Sequence, residues 1–143
     1  MNEIYHYALK LLRRRDYTEK QLRGKLENKF GDAPAEVLSA LQTKRFLDDR
    51  RYAENFVAKH ADSHPEYVRN LLEEAGIRRE TADAAVSAMN WPSLRDVLKA
   101  KIAGWRLHAP LQRRDAARLF RALSRLGYSE EEIREELEQL HEQ

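Results

Sequence analysis

The chain of 143 residues has no cysteine, so it can build neither a disulfide framework nor a thiolate zinc site. Its five glycines are scattered, and none belongs to a phosphate-cradling loop of the Walker or dinucleotide type. No serine lies in a nucleophile elbow; Ser63 and Ser129 read as helix caps. No window approaches the roughly 18 uninterrupted apolar residues that span a bilayer. The early run IYHYALKLL is broken by His6 and Lys10 and then meets three arginines, so neither a signal peptide nor a membrane anchor is expected. His60 and His64 stand at helical i, i+4 spacing, but Pro65 pushes His64 out of helical geometry, and no third ligand is near. No catalytic residue, no metal and no cofactor is therefore expected. These absences point away from an enzyme and toward a soluble, cytoplasmic binding or regulatory protein, expected to be monomeric.

What is present is helical periodicity almost throughout, without an alternating strand. Thr18 and Gln21 have capping-box spacing, with Tyr17 placed to staple onto Leu22, and Ser129 with Glu132 repeats the arrangement, with Tyr128 over Ile133. Pro34, Pro65, Pro92 and Pro110 each read as opening a helix. Nine helices result. They group in threes, because QLRGKL, YVRNLL and RLFRAL align and each is followed by a glycine: Gly31, Gly76 and Gly127, spaced 45 and 51 residues apart. The fold expected is all-α: three tandem three-helix repeats forming an elongated, curved array, with repeats over residues 1–47, 48–90 and 91–143. An irregular single-core helical domain is the alternative.

Charge is nearly balanced overall but unevenly placed. Residues 1–60 hold thirteen basic and nine acidic side chains, residues 61–107 seven of each, and residues 108–143 six and eight. Asp48 and Asp49 precede an apolar helical run. Neighbours on a helix point about 100° apart, so the pair cannot converge on one ligand and reads as a cap. Arg50 and Arg51 then enter a first turn that the helix dipole disfavours for cations, leaving a partner contact and an internal salt bridge as equal readings. Lys10, Arg13, Arg14, Arg15, Lys20, Arg23, Lys25 and Lys29 cluster across two helices and their turn. Arg114, Arg118, Arg121 and Arg125 fall at i, i+4, i+7 and i+11, a stripe opposite Leu119 and Leu123. The arginines of that stripe face either phosphates or an acidic protein groove, or else pair with the Glu-rich last helix. The helix–Gly–helix outline suggests a DNA reader, but the third-repeat partner helix is acidic and the first-repeat one is basic only at its far end. Base-specific recognition is not expected.

ALKLLRRRDYTEKQLRGKL (8–26) followed by FLDDRRYAENFV (46–57) resembles the bacterial RecX regulatory proteins. The matching positions are Ala8, Leu9, Arg15, Thr18, Gln21, Leu22, Lys25 and Leu26, then Leu47, Asp48, Asp49, Arg51, Tyr52 and Ala53. HPEYVRNLLEEAGI keeps the family pattern at Pro65, Val68, Arg69, Leu72, Gly76 and Ile77, whereas KHADSH departs from the family's basic, glycine-containing run before that proline. The resemblance implies three three-helix repeats and binding in the groove of the RecA recombinase filament. It implies modulation, usually inhibition, of the recombinase's ATPase, strand-exchange and coprotease activities. Contact with a single- or double-stranded DNA backbone is compatible with the basic end, and a free-standing nucleic-acid-binding protein is the alternative function.

Overall fold

A computed structural model describes residues 2–142, and every regular element among them is α-helical. The described residues form nine helices: α1 Asn2–Arg14, α2 Glu19–Phe30, α3 Ala35–Thr43, α4 Asp49–Lys59, α5 Pro65–Glu74, α6 Arg79–Ser87, α7 Leu94–Gly104, α8 Arg113–Arg125 and α9 Glu130–Glu142. Among the described residues, no helix is long and apolar enough to cross a membrane.

Local chemistry sets most of the boundaries. Thr18 Oγ1 accepts the Gln21 N–H at 3.1 Å and Gln21 Oε1 accepts the Thr18 N–H, so the expected capping box opens α2. Ser129 and Glu132 form the same box at α9. Pro65 is the first residue of α5, and His64 caps it by accepting the Glu66 N–H on Nδ1 at 3.1 Å. His60 lies beyond the end of α4, so the two histidines share no helix face. The other prolines sit further upstream than the sequence suggests. Pro34 is the cap of α3, Ser93 rather than Pro92 caps α7, and α8 begins only at Arg113. Proline fixes φ but offers no side-chain oxygen, so at α7 the Ser93 hydroxyl, which accepts the Asp96 N–H, sets the start.

Contacts gather the chain into two compact units, one running up to Lys59 and including Arg69–Ala88, the other comprising His60–Val68 and the chain from Met89 onward. The division falls inside α5. In the first unit, Ala8, Leu22, Leu26, Val37, Leu38, Leu41 and Leu47 form a buried cluster drawn from α1, α2, α3 and the turn after α3. Tyr7, Tyr17 and Phe30 pack against it, and α4 packs on α6. In the second unit, Val97, Leu98, Leu119, Leu123, Tyr128 and Ile133 are the core. Each fully buried leucine contributes about 1.5–3 kcal/mol through removal of apolar surface from water.

One junction occurs in both units. In the first, buried Thr18 donates its hydroxyl to the Ala75 carbonyl at 2.6 Å. The next residue, Gly76, has φ +98°, and a Cβ there would stand 2.5 Å from Lys20 Cβ. In the second unit, the His64 N–H donates to the Leu126 carbonyl at 2.8 Å. Gly127 follows with φ +97°, and a Cβ there would overlap Tyr67. The acid two residues before each cap adds a further tie. Asp16 meets Asn55 at 3.4 Å and Arg51 at 3.8 Å, while Asp62 meets Lys101 at 3.9 Å. Each junction seats the end of one helix on the start of the preceding equivalent helix, which is the physical content of a helical-repeat fold.

Candidate partner-binding surfaces

The Asp48–Asp49 pair caps two different helices. Asp48 Oδ1 accepts the Arg51 N–H at 3.1 Å and so caps α4. Asp49 Oδ1 instead accepts the Glu19 N–H at 2.8 Å, at the start of α2. Burial raises the Asp49 carboxyl above its ordinary 3.8; the Glu19 N–H works against that, and Glu19 and Asp48 add to it. Arg51 donates to the Arg45 carbonyl at 2.8 Å and to the Phe46 carbonyl at 3.2 Å. Since Arg45 has φ +61°, Arg51 fastens a left-handed turn. Arg51 is thus engaged inside the fold, whereas Arg50 is exposed and, among the described residues, pairs with Glu54 at 3.2 Å.

The N-terminal cations divide in the same way. Lys10, Arg13, Arg14 and Lys25 are exposed and form no ion pair among the described residues. Arg13 and Arg14 close α1, where the helix dipole favours positive charge. Arg15 lies over the Tyr17 ring at 4.5 Å, and Lys29, whose nitrogen is 4.1 Å from the Tyr7 ring centre, does the same in α2. Lys20 supports Gly76 with its stem, and Arg23 pairs with Glu19 at 2.5 Å. Arg69 lies 3.5 Å from Glu73 and 3.7 Å from Asp83, which ties α5 to α6.

In the second unit, Arg114, Arg118, Arg121 and Arg125 are all exposed along α8. Arg114 approaches Asp115 at 3.7 Å, and Arg118 lies over the Trp105 ring at 3.9 Å. Among the described residues, none of the four pairs with an acid of α9. That helix uses its acids elsewhere: Glu136 takes Arg95 of α7 at 3.2 Å, and Glu130 takes Arg134. Among the described residues, the pairing of the stripe with the last helix, open on the sequence, is not formed. Arg113 and Arg134, not singled out by the sequence, flank an apolar trough with Arg121. Arg113 lies off the α8 stripe and Arg134 is paired with Glu130 within α9, so only the packing of α9 on α8 brings them to one trough. Among the described residues, no three metal-ligating side chains come together.

The description "RecX, first three-helix domain" matches residues 5–38. A Regulatory protein RecX of Pseudomonas fluorescens is 33% identical over 130 residues, covering 85% of this chain and 81% of that protein. The chain belongs to the RecX family. A Regulatory protein RecX of Thermus thermophilus is 40% identical over 84 residues, a match spanning 57% of this chain and 59% of the Thermus protein. In fold, the crystal structure of RecX from Lactobacillus salivarius superposes with a TM-score of 0.66 over 97% of this chain and 95% of its own, at 19% identity. The residues that carry the RecX resemblance are largely folding devices. Leu22, Leu26, Leu47 and Ala53 are buried, Thr18, Asp48 and Asp49 cap helices, and Arg51 fastens a turn. The exposed cations are mostly different residues.

Proposed function

We propose that this RecX-family chain is a non-enzymatic regulator that binds the filament of a RecA-type recombinase and modulates its ATPase, strand-exchange and coprotease activities, with inhibition the expected direction. The carrying observation is the family relationship to regulatory proteins over most of the chain. The exposed cations support it: Lys10, Arg13, Arg14, Lys20 and Lys25 in the first unit and the α8 stripe in the second offer guanidinium and ammonium groups to phosphate or carboxylate. Arg51 and Arg69 act through the fold, holding the surfaces that the other cations present. The repeats are proposed to run over residues 1–47, 48–90 and 91–143, each centred on one of the three glycine-ended helices. The protein is proposed to work as a cytoplasmic monomer. A regulator of this kind shifts the filament only through differential affinity for one filament state.

The deciding experiment titrates the protein, from substoichiometric ratios upward, into the single-stranded-DNA-dependent ATPase of RecA from the same organism. A rate change well below one protein per recombinase monomer is expected. No change up to equimolar overturns the reading. Replacing Arg14 and Arg23 with glutamate is expected to weaken the effect at least about tenfold with unchanged helical content, because two attractive charges become repulsive. Undiminished modulation moves the contact away from the first unit. If the protein binds single-stranded DNA without altering the ATPase, with log–log salt slope near −0.7 per phosphate neutralised, a free-standing nucleic-acid binder replaces the regulator.

A further inference from the structure

Between α8 and α9 of the second unit lies an open trough of about 490 Å³. Ala116, Ala117, Phe120 and Leu137 give it an apolar floor, and two of these are alanines, which let a helix backbone approach closely. Arg113 and Arg121 stand on one rim and Arg134 on the other, with Glu138 and His141 beside it. Arg134 is held by Glu130, but Arg113 and Arg121 make no side-chain ion pair or hydrogen bond among the described residues. Arg113 also occupies the first position of α8, where the helix dipole disfavours a cation. The rim therefore carries an electrostatic demand for anions over a floor that demands apolar atoms.

We propose that this trough docks an acidic amphipathic helix of a partner protein, with apolar side chains at i, i+4 spacing on the floor and carboxylates against Arg113, Arg121 and Arg134. A carboxylate matches the guanidinium fork with two parallel hydrogen bonds, and an apolar stripe on one helix face matches an inter-helix groove. A nucleic-acid backbone satisfies the rim but has nothing to bury on a floor that is mostly aliphatic, Ala116, Ala117 and Leu137 beside Phe120. The trough shares Arg121 with the α8 stripe, but its test contains neither recombinase nor DNA filament, so it can fail while the recombinase reading stands, and the reverse.

The test measures fluorescence anisotropy of a labelled 14-residue peptide with Leu and Phe along one helical stripe and glutamate at most other positions. Saturable binding with Kd on the order of 10–100 μM is expected. Arg121→Glu should weaken it about tenfold and Phe120→Ala about fivefold, with melting curves confirming that both variants fold. An isomeric peptide with its apolar residues scattered around the helix should bind at least about tenfold more weakly. Equal binding of the two peptides, or no binding up to about 1 mM, overturns the proposal. A 14-nucleotide oligo-dT whose binding depends on Phe120 as the peptide's should would make nucleic acid the occupant. Sedimentation showing a dimer that Arg121→Glu dissolves would make the occupant a second copy, through its own acidic α9. Either result overturns the partner helix.

Discussion

In the first unit a side chain makes the junction: the Thr18 hydroxyl accepts from its own helix and donates to the Ala75 carbonyl. In the second unit the backbone makes it, through the His64 N–H to Leu126, and the imidazole is left to cap α5 and to lie edge-on to Tyr128 at 5.3 Å. The same seat, a left-handed glycine resting on the start of an earlier helix, is thus built twice from different atoms. The architecture constrains where a donor must stand and how close two backbones must come. It does not constrain which group donates.

The largest effect that separates these features should come from the glycines. Alanine at Gly76 or Gly127 meets both a positive φ, worth about 1–2 kcal/mol, and overlap with the inner atoms of the Lys20 or Tyr67 side chain, worth about 1–3 kcal/mol. Alanine at Gly31, which has φ +75° but nothing within 4 Å of the added Cβ, meets only the first. Urea denaturation of the three variants should place Gly31→Ala well above the other two in stability. Equal losses would mean that close approach is not what the junctions need.

Next in size is the donor itself. Thr18→Ala removes a cap, about 1 kcal/mol, and strands the Ala75 carbonyl, about 1–3 kcal/mol more. His64→Ala removes a cap and the edge-on contact with Tyr128 but strands no buried carbonyl, since its backbone N–H still reaches Leu126. The same denaturation curves should show Thr18→Ala as the costlier change. A larger loss at His64 would move the main tie of the second unit to its imidazole.

The smallest effect is a pair of opposed pH slopes. Burial raises the Asp49 carboxyl, so its stabilising contribution is complete below its ordinary 3.8 and is lost as pH rises through the raised value. The Ser129 hydroxyl and N–H lower the Glu132 carboxyl, against a weaker opposing effect of burial. Its contribution is present above its ordinary 4.5 and is lost as pH falls through the lowered value. Asp49→Asn and Glu132→Gln should therefore alter the slope of stability between about pH 3 and 6 in opposite directions. Slopes changing in the same direction would show that one of these carboxyls does not sit in the environment described.

The helices and most of their ends were legible because their causes are local. The Thr18–Gln21 and Ser129–Glu132 boxes close within three residues, and Pro65 acts on its immediate neighbour. The glycine register was legible because a left-handed residue leaves few alternatives. The roles of the arginines were not. Arg51 beside Arg50 reads as one more cation until the Arg45 turn is in place to receive it. The α8 stripe reads equally as a partner surface or as the mate of α9 until Arg95 is seen to take Glu136.

The sequence by itself determined that the chain is helical and where the capping boxes open α2 and α9, because hydrophobic period, capping and glycine conformation act over a few residues, and its motifs carried the family resemblance. Only the tertiary structure decided that Asp49 caps a helix thirty residues away, that Thr18 and His64 make equivalent ties, and that Arg113, Arg121 and Arg134 surround one apolar trough. Those facts depend on which helix faces which, and side chains distant in sequence acquire partners only when packing brings them within hydrogen-bond reach.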